Sequence, residues 1–94
     1  MPTVRYSKEA RDDLRGITRY IARDKPDAAR RWLAKVKDKC RSLGDHPDAG
    51  ESREDLGPNL HCTFVGAYVI FYRRSSTLVE IARVIRADRD VRRL

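Results

Sequence analysis

The sequence predicts an α+β protein with an N-terminal strand, an antiparallel helix hairpin and then a three-stranded antiparallel meander. Two observations support this fold class. Apolar residues recur at helical spacing in the first half of the chain and alternate with polar residues in the second half. Residues 56–72 contain no Lys, Arg, Asp or Glu, so we expect them at the buried centre of the sheet. The length of 94 residues predicts a single domain over residues 1–94.

The first strand and the helix hairpin follow from local patterns. Val4 and Tyr6 alternate with polar neighbours, and Ser7 is the predicted N-cap of the first helix. Pro26 is predicted to begin the second helix and Gly44 to end it as a left-handed cap. The apolar faces consist of Ala10, Leu14, Ile17 and Ile21, then of Ala29, Trp32, Leu33, Val36, Cys40 and Leu43. The outer side of the first helix is mainly basic, with Arg11, Asp12, Arg15, Arg19 and Arg23.

Three strands are predicted after an acidic loop at residues 45–55. They cover residues 60–65, 68–72 and 78–85, with turns at Gly66–Ala67 and Arg73–Ser76. If the helices cover only one face of the sheet, then Tyr68, Phe71 and Tyr72 form an exposed aromatic patch on the other face. Such a patch indicates a partner-binding surface.

The composition limits the classes of function. The formal net charge is +7, from 21 basic and 14 acidic side chains, which favours an anionic or acidic partner. Two cysteines exclude a disulfide scaffold and a zinc site built of four thiolates. No apolar run is long enough to span a membrane, and residues 1–10 lack the apolar core of a secretory signal. We therefore expect a cytoplasmic protein that does not bind membranes.

Few side chains in this sequence are candidates for catalysis or metal binding. His46 and His61 have no partner at metal-binding spacing, so neither a metal nor a cofactor is predicted. Cys40 and Cys62 lie in apolar patterns that are typical of core cysteines. Cleavage of RNA needs a base and an acid, and arginine hardly exchanges protons near neutral pH. His61 is the one plausible proton shuttle near the sheet, so we assign no catalytic residue and regard a non-enzymatic protein as the better hypothesis.

Several segments, in this order and at this spacing, resemble the ParE-type toxins of the ParE/RelE superfamily, which belong to bacterial type II toxin–antitoxin systems. They are Tyr6-Ser7-x-x-Ala10-x-x-Asp13-Leu14-x-x-Ile17-x-x-Tyr20-Ile21-Ala22, Ala28-Ala29, Leu43-x-x-His46-Pro47-x-x-Gly50-x-x-Arg53-x-x-Leu56, Tyr68-Val69-Ile70-Phe71-Tyr72-Arg73, Val79-Glu80-Ile81-x-Arg83-Val84-Ile85 and Arg89-Asp90. The resemblance covers nearly the whole chain and agrees with the predicted fold.

The resemblance implies a toxin that a ParD-like antitoxin neutralises within a hetero-oligomer. ParE members inhibit DNA gyrase and block replication, whereas RelE members cut mRNA in the ribosome. RelE-like nucleases carry Lys, Arg and often Tyr or His near the C-terminus, where this chain keeps only Arg, which favours the ParE side. The chain also has His61 and Cys62 where many relatives are basic, and Arg86 where many have His.

Two binding surfaces are predicted from these considerations. A groove between the hairpin and the sheet is expected to take an amphipathic antitoxin segment, with the candidate residues Ile17, Tyr20, Trp32, Val36 and Phe71. The candidate target-binding residues are Arg83, Arg86 and Arg89. Charge alone leaves a third possibility, a plain nucleic-acid-binding module whose affinity falls steeply with salt. Direct sequence-specific binding of nucleic acid is not expected.

Overall fold

The structure is a computed structural model that describes residues 3–88, and it confirms the predicted α+β order. One mixed sheet holds five strands in the order β1-β5-β4-β3-β2, and both helices pack against one of its faces. The elements are β1 (Thr3–Tyr6), α1 (Lys8–Ala22), α2 (Pro26–Asp45), a short 3-10 turn (Pro47–Ala49), β2 (Glu51–Ser52), β3 (Leu60–Val65), β4 (Tyr68–Arg74) and β5 (Leu78–Arg86).

The predicted helix starts are confirmed, and one predicted helix end is wrong. The Ser7 hydroxyl caps α1 by accepting a hydrogen bond from the Ala10 amide at 3.0 Å. Pro26 begins α2 as predicted. Gly44 is not a left-handed cap: it is buried within α2, which continues for one more residue. The helix ends where the His46 amide donates to the Ser42 carbonyl at 2.8 Å.

The predicted meander is confirmed, and the structure adds two pairings to it. β3, β4 and β5 are antiparallel neighbours, and Gly66 takes the positive φ of 57° that the β3–β4 turn requires. β1 pairs in parallel with β5, with Tyr6 opposite Ile81. The acidic loop contains β2, a two-residue strand that pairs with β3. Two residues are too few to show an alternating pattern, so the sequence did not indicate this strand.

The expected exposed aromatic patch is wrong. Tyr68 and Tyr72 lie on the helix-covered face and are buried, because alternation in β4 turns them toward α1 and α2. Phe71 points to the other face, where it is buried beside neighbouring strand residues and covered by Leu56. Phe64 is the aromatic side chain of the strands that remains exposed.

A carboxylate on α1 fixes this helix to β5. Asp13 accepts two hydrogen bonds from the Arg83 guanidinium, at 2.8 and 3.1 Å, and a third from the Val84 amide at 3.0 Å. The β4–β5 register shifts at Ala82, whose carbonyl accepts the Ser7 hydroxyl at 2.8 Å. The start of α1 is therefore held to the irregular part of β5 at two points, about a turn and a half apart.

Loss of the Asp13 carboxylate is expected to destabilise the fold. Asp13→Asn removes the charge and leaves the partly buried Arg83 without its bidentate partner, which should cost about 2–3 kcal/mol of unfolding free energy. Urea unfolding measures this change.

Asp12→Asn is the matched control, because this neighbour is exposed and pairs with Lys8 and Arg15 at the surface. The control should change the unfolding free energy far less than Asp13→Asn does, because exposed ion pairs contribute little to stability. Equal losses in the two variants would show that Asp13 makes no special contribution.

Candidate functional site

The five candidate antitoxin-binding residues do not line one groove. Val36 is fully buried between α2 and the sheet, and Phe71 is buried on the opposite face of the sheet. Ile17 and Trp32 are partly buried against the helix-side core, and the Trp32 ring meets that of Tyr68 edge-on, at 5.0 Å between centroids. Tyr20 is 62% exposed. The structure thus separates Phe71 from the other four residues.

One groove runs between the two helices, and we call it the α1–α2 groove. Its volume is about 500 Å³. Its apolar floor and basic rim are formed by Tyr6, Arg11, Leu14, Arg15, Thr18, Arg19, Leu33 and Lys37. A smaller hollow of about 270 Å³ continues from Tyr6 and Lys37 to Val4 and Arg41, along the sheet edge that β1 forms. This groove combines an apolar floor with cations on both helices.

A second groove lies on the other side of α1, and we call it the α1–β5 groove. Its volume is about 540 Å³. It is lined by Asp12, Asp13, Gly16, Ile17, Tyr20, Tyr68, Val84, Ile85, Arg86 and Asp88. This groove carries both charge signs and two tyrosines, whereas all the charged side chains of the α1–α2 groove are cations.

The three candidate target-binding arginines differ in their surroundings. Arg83 is held by Asp13, and this contact raises the pKa of its guanidinium. Arg86 is 54% exposed and makes a surface contact with Asp88 at 3.3 Å. Arg89 lies outside the described residues. Of the two candidates within the described residues, Arg86 is therefore the one whose side chain is largely exposed, and it lines the α1–β5 groove.

The candidate proton shuttle is packed inside the protein. His61 is buried and its ring stacks on that of Tyr72, at 5.6 Å between centroids. Burial lowers the pKa of His61, and the Arg74 guanidinium lowers it further, whereas Glu54 and Asp48 act in the opposite direction. The surroundings of the imidazole therefore favour its neutral form over its protonated form.

The same cluster is tied to the loop after α2. The Tyr72 hydroxyl and the Arg74 guanidinium both donate to the Pro47 carbonyl, at 3.2 and 2.9 Å, and Arg74 also pairs with Asp48. Gly50 lies against Tyr72, and a Cβ there would fall 2.6 Å from the Cys62 carbonyl oxygen. Only glycine fits this close approach. Tyr72 and Arg74 therefore hold the loop in place, with His61 stacked on Tyr72.

The two cysteines are core residues, as predicted. Both are free thiols and buried. Burial raises the pKa of Cys40 to about 11 and also raises that of Cys62. A protonated thiol is a poor nucleophile and a poor metal ligand. Within residues 3–88 no three His, Cys, Asp or Glu side chains form a group that could hold a metal ion.

Sequence reasoning missed the cations of the α1–α2 groove as a site. Arg11, Arg15 and Arg19 recur every four residues along α1, which places them in one row. The signal was therefore visible as a basic side of the first helix. In the structure this row faces Lys37 across an apolar floor. This arrangement depends on how the two helices pack, which a local sequence pattern does not show.

The fold of this chain resembles that of several solved structures. It is similar to a structure of the chromosomal ParDE system from P. aeruginosa, with a TM-score of 0.80 and 16% identity over 94% of this chain and 98% of that chain. The RelBE2 toxin–antitoxin complex from Mycobacterium tuberculosis gives a TM-score of 0.66 and 28% identity, covering 92% and 99%. YafQ from E. coli gives 0.59 and 10%, covering 93% and 94%.

Residues 4–91 match the family described as the ParE toxin of the type II toxin–antitoxin system parDE. The chain therefore belongs to the ParE toxin family, as the sequence resemblance indicated. A comparison with curated protein sequences gave no significant match. Among the helices of the described chain, none has both the length and the apolar character needed to cross a membrane.

The buried His61 should make the stability of the protein depend on pH. Its pKa is lower in the folded chain than in the unfolded one, so the unfolded state binds more protons on acidification. The unfolding free energy should therefore fall as the pH drops below about 6.5, down to the lowered pKa of the folded state.

Thermal unfolding between about pH 7.5 and pH 5.5 measures this dependence. We expect a shallower slope in His61→Gln than in the wild type. His46→Gln, at the end of α2, removes the other histidine of the chain and is the control variant. An unchanged slope in His61→Gln would contradict the assignment.

Proposed function

We propose that this chain is a toxin that docks onto DNA gyrase, blocks replication and is neutralised by a ParD-like antitoxin. Membership of the ParE family supports the toxin–antitoxin role. The mode of action rests on one observation: within residues 3–88, neither the histidine of the sheet nor the candidate arginine in the middle of β5 is free to act on a substrate. His61 is stacked on Tyr72 inside the protein, and Arg83 is held by Asp13.

The alternative is a ribosome-dependent mRNA endonuclease of the RelE kind. Two observations favour it: the similarity to the RelBE2 complex at 28% identity, and the arginine-rich surface of this chain. In that case His61 would have to leave its stack on Tyr72 to reach a substrate.

The antitoxin is proposed to bind in the α1–α2 groove. The apolar floor of this groove suits the apolar side of an amphipathic segment, and its basic rim suits acidic residues on that segment. Opposite charges mainly speed the encounter of the two proteins. The roles of Ile17, Tyr20, Trp32, Val36 and Phe71 in antitoxin binding remain predictions, and the burial of Val36 and Phe71 keeps these two side chains from direct contact with a partner.

The gyrase proposal is tested with the purified chain. We expect it to inhibit the supercoiling of relaxed plasmid by DNA gyrase, and we expect its expression to stop DNA synthesis before protein synthesis. Addition of the ParD-like antitoxin should restore supercoiling. Primer extension that reveals new cuts within codons, reduced in His61→Ala, would favour the endonuclease instead.

The antitoxin proposal is tested by reversing charge on the groove rim. The double variant Arg15→Glu/Arg19→Glu should bind the antitoxin with an association rate lowered by about tenfold or more at low salt. Stopped-flow or surface-based kinetics measures this rate.

Arg30→Glu/Arg31→Glu makes the same change in net charge on the exposed side of α2, away from the groove. This control should lower the association rate much less. Equal reductions in the two double variants would mean that only the net charge of the toxin matters.

A further inference from the structure

The outer edge of β3 is only partly covered by another strand. β2 is two residues long and pairs with His61 and Cys62. No strand of the described chain lies beside the residues that follow, Thr63, Phe64 and Val65. An open strand edge is a template for pairing with a further strand. This three-residue stretch, which we call the open β3 edge, is therefore a candidate interaction surface.

The backbone of Phe64 points toward the open β3 edge. On this side of β3, the Leu60 carbonyl accepts a hydrogen bond from the Arg53 amide at 2.7 Å. Successive residues of a strand present their backbone groups to alternate sides, so Phe64, four residues after Leu60, presents its amide and its carbonyl to the same side. One residue thus offers both a donor and an acceptor to an incoming strand.

The side chain of Phe64 adds an apolar surface beside this edge. It is 51% exposed, and by alternation it lies on the same sheet face as Leu60 and Cys62, opposite the helices. Its neighbour across the β3–β4 pair is Val69, which is buried. The ring therefore extends a buried apolar cluster outward to the edge of the sheet.

The distribution of charge favours a second copy of this chain as the partner. Proteins usually protect open edges with charged side chains, but residues 56–72 contain none, although the net charge of the chain is +7. The opposite sheet edge, β1, carries Arg5 and borders a hollow lined by Lys37 and Arg41. Two copies therefore repel each other at β1, whereas at the open β3 edge a neutral strand meets a neutral strand. An acidic segment gains no attraction there.

The geometry of this edge is also self-complementary. In an antiparallel pair related by a two-fold axis, Phe64 lies opposite Phe64 of the second copy and the two residues exchange both N–H···O bonds. Thr63 of each copy then lies opposite Val65 of the other. Directly opposite residues project to the same face, so the two phenyl rings meet. Pairing ends after three residues on each copy, because β2 occupies the next position, opposite Cys62.

We propose that the open β3 edge is a self-association surface, at which two copies of this chain pair antiparallel with Phe64 at the centre. Three residue pairs bury less area than a standard interface, so the dimer is weak and forms at high protein concentration. β1 and β3 lie on opposite sides of β4, so the α1–α2 groove, which Tyr6 of β1 lines, stays open in the dimer. Each copy can therefore bind an antitoxin while it is paired.

Sedimentation equilibrium of the purified chain tests this proposal. The association constant should rise about threefold or more between about 0.1 M and about 0.5 M NaCl, because salt screens the repulsion between two basic molecules. Binding of nucleic acid or of an acidic protein would weaken with salt instead. A chain that stays monomeric at about 0.5 mM protein in the higher salt would overturn the proposal.

Variants of the central residue locate the surface. Phe64→Lys should lower the association constant by about tenfold or more, because it removes the ring contact and places two like charges opposite each other. Phe64→Tyr keeps the ring and should associate like the wild type. Tyr20→Lys is the matched control, because it makes the same change in charge at another largely exposed aromatic residue. Equal losses in the two lysine variants, with unchanged thermal unfolding midpoints, would contradict the assignment to β3.

A cross-linking experiment tests the register of the pair. The Cα atoms of directly opposite residues in a hydrogen-bonded pair lie about 5.5 Å apart, which a disulfide can span. Oxidised glutathione should therefore link Phe64→Cys into a covalent dimer, whereas Tyr20→Cys should stay monomeric. The native Cys40 and Cys62 are buried and should not react. Equal cross-linking of the two variants would overturn the register, and cross-linking that the ParD-like antitoxin blocks would assign this edge to the antitoxin.

Discussion

The clamp between Asp13 and β5 sets the geometry on which both candidate surfaces depend. One carboxylate satisfies the guanidinium of Arg83 and the backbone amide of Val84, across 70 and 71 positions in sequence. Ser7 adds a second attachment at the neighbouring Ala82. Because α1 is fixed at these points, its two sides face α2 and the end of β5, and a groove forms on each side.

The contact between Asp13 and Arg83 also shows that the arginines of this chain have different roles. Arg83 is committed to holding the helix, whereas Arg11, Arg15 and Arg19 line a groove. The partly buried Arg83 contributes stability and geometry through its pair with Asp13. The groove-rim arginines are exposed, and the surface contact of Arg15 with Asp12 is weak enough to leave it able to bind a partner's carboxylate. The net charge of +7 therefore includes arginines that stabilise the fold and arginines that are available to bind a partner.

Periodicity predicted most of the fold, and it failed where structure depends on distant contacts. The helices, the Ser7 cap and the β3–β5 meander follow from local patterns. The parallel pairing of β1 with β5, the short strand β2 and the helical Gly44 depend on contacts that no local pattern encodes. The faces of Tyr72 and Phe71 were misjudged because a strand that is apolar on both sides does not reveal which side the helices cover.

The candidate surfaces were harder to predict for the same reason, since each groove joins residues far apart in sequence. Tyr20 and Arg86 were both singled out from the sequence, but as parts of two different sites, and the structure places them in one groove.

The most direct test of docking is hydrogen exchange of the chain with and without DNA gyrase. We expect slower exchange at the end of β5, where the candidate target-binding residue Arg86 is exposed, with β2 unchanged. Unchanged exchange at the end of β5 at saturating gyrase would contradict docking through this residue.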